Sequence, residues 1–303
     1  MANSATTDAL PRSSPPADGQ SLAELAARHG LTVSGARPGL GAYVKQLWQR
    51  RHFIVAFANA KTRASYSDAR LGQVWQILTP LLNAAIYYLI FGLMLKTNKG
   101  VPNFIAFLVT GIFVFGFTQS AVLAGTRSIS GQLNLIRALH FPRASLPISF
   151  TIVQLQQLLI SMVVLSGIVL AKGEPLTLKW LLVIPALMLQ FVFNVGLSMI
   201  VARFGAVVTD INQLMPFILR TWLYTSGVFY SIDNFTKNAP AWVRHALDLN
   251  PIAVYIELVR DALIDSHAGV PAYTWGIAAG WALVIGVGGF IYFWRAEERY
   301  GRG

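Results

Sequence analysis

The chain has 303 residues, 54% of them apolar and only 12% charged, with no cysteine and a net charge of +11. The lack of cysteine excludes disulfides, thiol catalysis and thiolate-held metals. The basic residues are spread over the amino terminus and alternate loops instead of one module, which argues against nucleic acid as a partner.

Residues 1–38 are rich in Ser, Pro, Ala and Asp and lack an apolar core segment, so they read as a disordered cytoplasmic tail and not a cleavable signal. Residues 39–72 read as an amphipathic interface segment. Leu40, Tyr43, Val44, Leu47 and Trp48 recur at helical spacing with Lys45, Gln46, Gln49 and Arg50 opposite, a pattern that predicts a helix lying among membrane lipids. It serves either as an anchor or as a way in for a lipid-linked substrate. The run FIVAFANA that follows is too short to span. Lys61, Arg63 and Arg70 either contact a lipid diphosphate or headgroup, or simply fix the orientation of the first span.

From Val74 to Trp294 the apolar runs approach or exceed the ~20 residues that cross a bilayer core. The expected fold class is an all-α integral membrane protein, with spans at 73–95, 104–126, 148–171, 179–202, 213–230 and 273–294 making one domain over 73–294. Sorting Lys and Arg by loop gives sixteen on one side and seven on the other, with Arg220 inside a span. The positive-inside rule then places both termini, including residues 295–303, on the cytoplasmic side of a membrane that the chain crosses several times. The same rule puts Leu135 to Pro147, which reads as a short, stiff, basic helix bounded by Pro142 and Pro147, on the cytoplasmic side.

Arg220 falls eight residues into its span, ~12 Å along the axis. A charge at that depth faces a partner or an aqueous cavity, or snorkels to the interface. Gln213, Arg220, Tyr224 and Gly227 share a helical face. The first span carries a comparable stripe, Gln76, Pro80, Asn83 and Tyr87 with Phe91 next, whose aromatics are candidate pathway faces as well as ordinary packing residues. The Gln154/Gln157/Ser161 and Gln190/Asn194/Ser198 stripes read as interhelical hydrogen-bonding faces. Between the last two spans, residues 231–272 predict two short helices that dip only partly into the outer leaflet. Asn250 is an N-cap before Pro251, and Ile252, Tyr255, Val259 and Leu263 form an apolar face with Glu257, Arg260 and Asp261 elsewhere.

The run Lys61, Arg63, Tyr66, Leu71, Gly72, Trp75 and Pro80, followed by Tyr87 and Phe91-Gly92, resembles the permeases of bacterial polysaccharide ABC exporters. That family moves O-antigens, teichoic acids, capsules and mycobacterial galactan. Asn134-Leu135-Ile136 with Phe141-Pro142-Arg143, and Pro240-Ala241-Trp242 with Asn250-Pro251 and Arg260, extend the resemblance over about Leu40 to Trp294. Ala64-Ser65 departs from it, where a more basic stretch is expected. The resemblance implies that Asn134, Leu135, Arg137, Phe141, Pro142 and Arg143 belong to a coupling helix that docks on a separate ATPase. It further implies that Trp242, Asn250, Pro251, Glu257 and Arg260 belong to an external gate, and that the chain works as a homodimer with two ATPase copies. The substrate implied is a polyprenyl-diphosphate-linked polysaccharide, with galactan or an O-antigen-like polymer favoured. The chain has no G-x-x-x-x-G-K-[ST] phosphate loop, so ATP and Mg are expected on the partner and no cofactor on this chain. The alternatives are an integral-membrane glycosyltransferase or ligase acting on lipid-linked sugar, and an ATP-independent channel or flippase.

Overall fold

The computed structural model describes residues 38–67, 72–95, 101–139, 141–208, 210–236, 240–267 and 269–300, and among them there are helices and connections but no strand. The expected tail and Arg70 lie outside these residues, as do the side chains at 76 and 80.

In chain order the helices are α1 (Leu40–Gln49), α2 (Arg51–Ser67), α3 (Gly72–Tyr87, continued by a π turn Tyr88–Met94), α4 (Phe104–Thr126), α5 (Leu133–Ala138) and α6 (Ser145–Ala171). They are followed by α7 (Val183–Val207, entered through a 3-10 turn Leu178–Leu182), α8 (Ile211–Thr225), α9 (Ile232–Thr236), α10 (Ala241–Asp248), α11 (Pro251–Leu263) and α12 (Tyr273–Trp294).

Five segments are long and apolar enough to cross a membrane: Ile77–Met94, Phe104–Thr126, Ser145–Ala171, Leu178–Val207 and Tyr273–Trp294. The fifth expected span, 213–230, differs. α8 has 15 residues, or ~22 Å of rise, because the chain leaves the helix at Ser226 and Gly227 takes a left-handed φ of 64°. Its carbonyl is thereby turned toward a buried arginine instead of the next helical turn.

α4 is the centre of the bundle. Phe107, Leu108, Phe113, Val114, Phe115 and Phe117 are all buried, and α3, α6, α7, α8 and α11 pack around it. Apolar residues run round most of the helix, so it suits a position enclosed by other helices. α7 and α12 approach closely because both are notched by glycine: a Cβ at Gly196 would lie 2.0 Å from the Ile285 carbonyl oxygen, and one at Gly289 2.2 Å from that of Gly196. Small residues allow such backbone contact between apolar helices, where dispersion and not water release holds the pair.

Two expectations about the short helices need correction. α11 does not lie half-exposed, since ten of its residues from Ile252 to Leu263, Arg260 among them, are buried. Its apolar residues run round nearly the whole helix, so it packs between α4, α7 and α12. Nor is the stretch from Leu135 to Pro147 one proline-bounded helix. Helix α5 ends at Ala138 and Leu139 is extended. Pro142 sits in the connection and Pro147 in the first turn of α6, where a missing N–H costs no helical bond.

Candidate functional site

Tyr87, Phe91 and Tyr224 converge on Phe229. The Phe91 and Phe229 rings stack at 4.5 Å with 6° between their planes, Tyr87 lies 4.6 Å and Tyr224 5.6 Å from Phe229. The π turn at the end of α3 sets the angle from which Phe91 meets this stack; such turns recur at functional sites. Arg220, one turn below Tyr224 on α8, is exposed and within electrostatic reach of the Tyr87 phenol. Gln213 is exposed on the same face two turns further down. Gly227, expected on that face, is buried in the turn. Asn83 points away from the aromatic group, into a cavity of about 350 Å³ between α3, α4 and α6.

Arg260 holds the turn that presents Phe229. It is fully buried. Its Nε and Nη2 donate to the Phe107 carbonyl at 3.2 and 3.1 Å, Nη1 to the Gly227 carbonyl at 2.9 Å, and Nη2 to the Val228 carbonyl at 3.0 Å. Nη1 also donates to Glu257 Oε1 at 2.8 Å. Five N–H groups thus meet five acceptances, the full capacity of a guanidinium. The group also sits 3.3 Å over the Phe107 ring. Glu257 Oε2 faces His267 Nε2 at 2.8 Å. Burial alone would raise the Glu257 carboxyl, but the Arg260 charge and the His267 contact hold it at about 2. Burial lowers the Arg260 guanidinium to about 10, leaving it charged at neutral pH. Arg260 and Glu257 are therefore internal staples and not an exposed gate surface.

Asn250 caps α11 as expected, accepting from Ile252 N at 3.2 Å, and also receives the Trp222 indole N–H at 2.9 Å and donates to the Thr225 carbonyl at 3.0 Å. Pro251 follows at the first helical position. Trp242 on α10 is 72% exposed. A cavity of about 610 Å³ opens here, bounded by Arg244, Asp248, Glu257, His267 and Tyr273.

At the opposite end, α5 exposes Asn134 and Arg137, while Leu135 is half-buried and Ile136 buried. Phe141 turns inward, 5.2 Å from the Phe53 ring of α2, and Pro142 is buried. Arg143 donates its backbone N–H to Glu297 Oε1 at 2.9 Å and its guanidinium to the Glu297 carbonyl. The Tyr43 hydroxyl donates to Glu297 Oε2 at 2.8 Å and accepts from Ala144 N at 3.1 Å. A carboxylate from the end of the chain and a phenol from its beginning therefore satisfy N–H groups at the start of α6, where a helix has no internal acceptors and its dipole favours negative charge. Burial raises the Glu297 carboxyl, offset in part by the Arg143 N–H and the Tyr43 hydroxyl. Lys61 lies over the Phe57 ring at 5.5 Å and Arg63 is exposed.

The two polar stripes part company. Gln190 Nε2 donates to the Val114 carbonyl at 2.8 Å and to Thr118 Oγ1 at 3.0 Å, and Thr118 Oγ1 donates to Asn194 Oδ1 at 2.9 Å. That stripe is the interhelical face expected of it. Gln154, Gln157 and Ser161 instead line the cavity that holds Asn83.

Fold and site define a multi-pass α-helical membrane protein with a charged element at one end and an aromatic, basic face where α3 meets α8. Residues 53–264 match the ABC-2 type transporter family; the chain belongs to that family. It is 25% identical over 213 residues to an O-antigen export system permease protein RfbA of Klebsiella pneumoniae, covering 70% of this chain and 80% of the relative. The corresponding Myxococcus xanthus protein is 24% identical over 209 residues, covering 69% and 79%. The polysialic acid transport protein KpsM of Escherichia coli is 25% identical over 217 residues, covering 68% and 78%.

Proposed function

We propose that this chain is the membrane-spanning subunit of an ATP-driven exporter that carries a polyprenyl-diphosphate-linked polysaccharide, galactan or an O-antigen-like polymer, out of the bacterial cytoplasm across the plasma membrane. α8, continued through the Arg260-held turn, is the fifth of six spans; both termini and α5 are cytoplasmic, and α9 to α11 form the external segment at 231–272. The observation that carries the reading is the exposed α8 face with Gln213, Arg220 and Tyr224 beside the Tyr87–Phe91–Phe229 stack. Aromatic faces hold sugar C–H surfaces without demanding one hydroxyl pattern, and an arginine fork matches diphosphate oxygens. A second copy facing this wall closes it into a conduit, and two ATPase subunits carrying ATP and Mg act on the exposed side of α5. Lys61 and Arg63, with Arg70, contact the lipid diphosphate or headgroups as the substrate enters. Residues 1–38 form the cytoplasmic tail, 39–72 the interface segment and 73–294 the permease domain.

The enzyme alternative would draw on the acids of the outer segment, and three of them are engaged in the fold. Glu257 is bound by Arg260 and His267, Asp265 pairs with Lys179 at 3.3 Å, and Asp261 accepts from Val270 N at 3.2 Å. Substituting Arg220→Ala tests the reading: export and substrate-stimulated ATPase activity fall while thermal stability stays near wild type. Full transport by a stable Arg220→Ala variant removes Arg220 from the conduit.

A further inference from the structure

We propose that the cavity between α3, α4 and α6 is a subsite for the uncharged hydroxyls of a glycan, a role that rests on the exporter reading above. It measures about 350 Å³ and is lined by Asn83, Gln119, Ser120, Gln154, Gln157 and Ser161, with Phe113 and Phe117 among its apolar walls. Every lining residue belongs to a segment apolar enough to cross the membrane. None carries a charge.

The amides decide the matter. Among the described residues, the side chains of Asn83, Gln119, Gln154 and Gln157 have no protein hydrogen-bond partner, and the Ser161 hydroxyl donates only to the Gln157 carbonyl of its own helix. Other amides of the bundle are engaged. Gln156, adjacent in sequence, turns the other way: its Nε2 donates to Asn59 at 2.8 Å and its Oε1 accepts from Thr62 at 2.7 Å. Gln190 Nε2 and Asn194 Oδ1 bond across to α4, with Gln190 Oε1 and Asn194 Nδ2 left without a partner.

An amide in a hydrocarbon slab with nothing to bond costs several kcal/mol in general, so this cluster requires an occupant that both donates and accepts. A lipid tail does neither. A diphosphate only accepts, and no cation lines the cavity to balance it. Water fits, at ~30 Å³ each giving room for about ten molecules. A sugar replaces those waters with hydroxyls of the same donor–acceptor character while its C–H face rests on Phe113 or Phe117. Asn83 lies one turn before Tyr87 on α3, so the helix that carries one side of the cavity also carries part of the aromatic stack.

The absence of native cysteine makes the test direct. In reconstituted transporter with its ATPase, Ser120→Cys is treated with a water-soluble methanethiosulfonate reagent, and Val163→Cys, on the exposed flank of α6, serves as the comparison. The probes are polyprenyl-diphosphate-linked galactan and the corresponding O-antigen lipid, whichever the unmodified protein transports. The subsite predicts that Ser120→Cys reacts, Val163→Cys does not, and loading with the transported glycan slows the first reaction at least tenfold. It also predicts that Gln154→Leu with Gln157→Leu, apolar changes that do not oppose insertion, raises the half-saturating glycan concentration about tenfold with the maximal rate little changed. An unreactive or unprotected Ser120→Cys, or an unaltered half-saturation in the double variant, overturns the subsite while leaving export by the native chain intact. Failure of the native protein to transport either probe overturns the exporter reading itself.

Discussion

Arg260 and Glu297 are both buried charges, one at each end of the bundle, and they are held in contrasting ways. Arg260 has a full counter-charge in Glu257 and an acceptor for each of its N–H groups. Glu297 is held by a phenol, a backbone N–H and, through its carbonyl, the Arg143 guanidinium. The result is that Glu257 is driven well below its usual 4.5, whereas Glu297 is raised above it. A saturated ion pair makes a rigid staple. An under-compensated carboxylate makes a joint that is easier to open, and this joint ties α1 and the segment after α12 to the start of α6. The Arg260 staple fixes the Phe229 turn; the Glu297 latch can yield.

The sharpest break in this contrast is Arg260→Leu. It leaves the Phe107, Gly227 and Val228 carbonyls and the Glu257 carboxylate without their donor, a loss of about 3–5 kcal/mol. Thermal unfolding in detergent should show a variant of much reduced stability, with Arg260→Lys between the two because a point charge cannot reach all the acceptors. Gly111→Ala attacks the same staple indirectly, since its Cβ would meet Arg260 Nη2 at 2.7 Å. About 1–3 kcal/mol should be lost, while Gly116→Ala, which meets nothing within 4 Å, changes little.

Tyr43→Phe at the latch removes one donor and leaves Ala144 N without its acceptor, a cost of about 1 kcal/mol. pH separates the two ends by sign. Stability contributed by Glu257 is full above 4.5 and lost as pH falls toward about 2. For Glu297 the raised value reverses the direction: its contribution is present below 4.5 and is lost as pH rises through the elevated value. Glu297→Gln should therefore flatten the stability profile on its alkaline side and leave the acid limb in place, as unfolding measured across pH will show. The smallest effect on stability is expected from Arg137→Asp on the exposed side of α5, yet it should separate ATP hydrolysis from export if that surface meets the ATPase. Unchanged export would remove α5 from the coupling.

Helix positions were legible from apolar run length alone. The expected 104–126 and 273–294 coincide with α4 and α12, because an uninterrupted apolar stretch in lipid has one way to satisfy its backbone. The N-cap at Asn250 was equally plain, being a local signal. Arg260 was not: helical periodicity placed it off the apolar face, and carbonyls far away in sequence, those of Phe107, Gly227 and Val228, account for its burial. Glu297 and Tyr43 are 254 positions apart and carried no signal in the chain. Gln154 and Gln157 were visible as a stripe, but whether a polar stripe meets another helix or a cavity depends on how far α3 stands off from α4 and α6, which local pattern does not encode.

The central claim is tested most directly by reconstituting the chain with an ABC ATPase in proteoliposomes and following a labelled polyprenyl-linked polysaccharide. The account predicts that label crosses the bilayer only with ATP and the ATPase present, unaltered in covalent structure, and that Arg220→Ala greatly slows it. Movement of label without ATPase, or transfer of its sugar to a new acceptor by this chain alone, would contradict it.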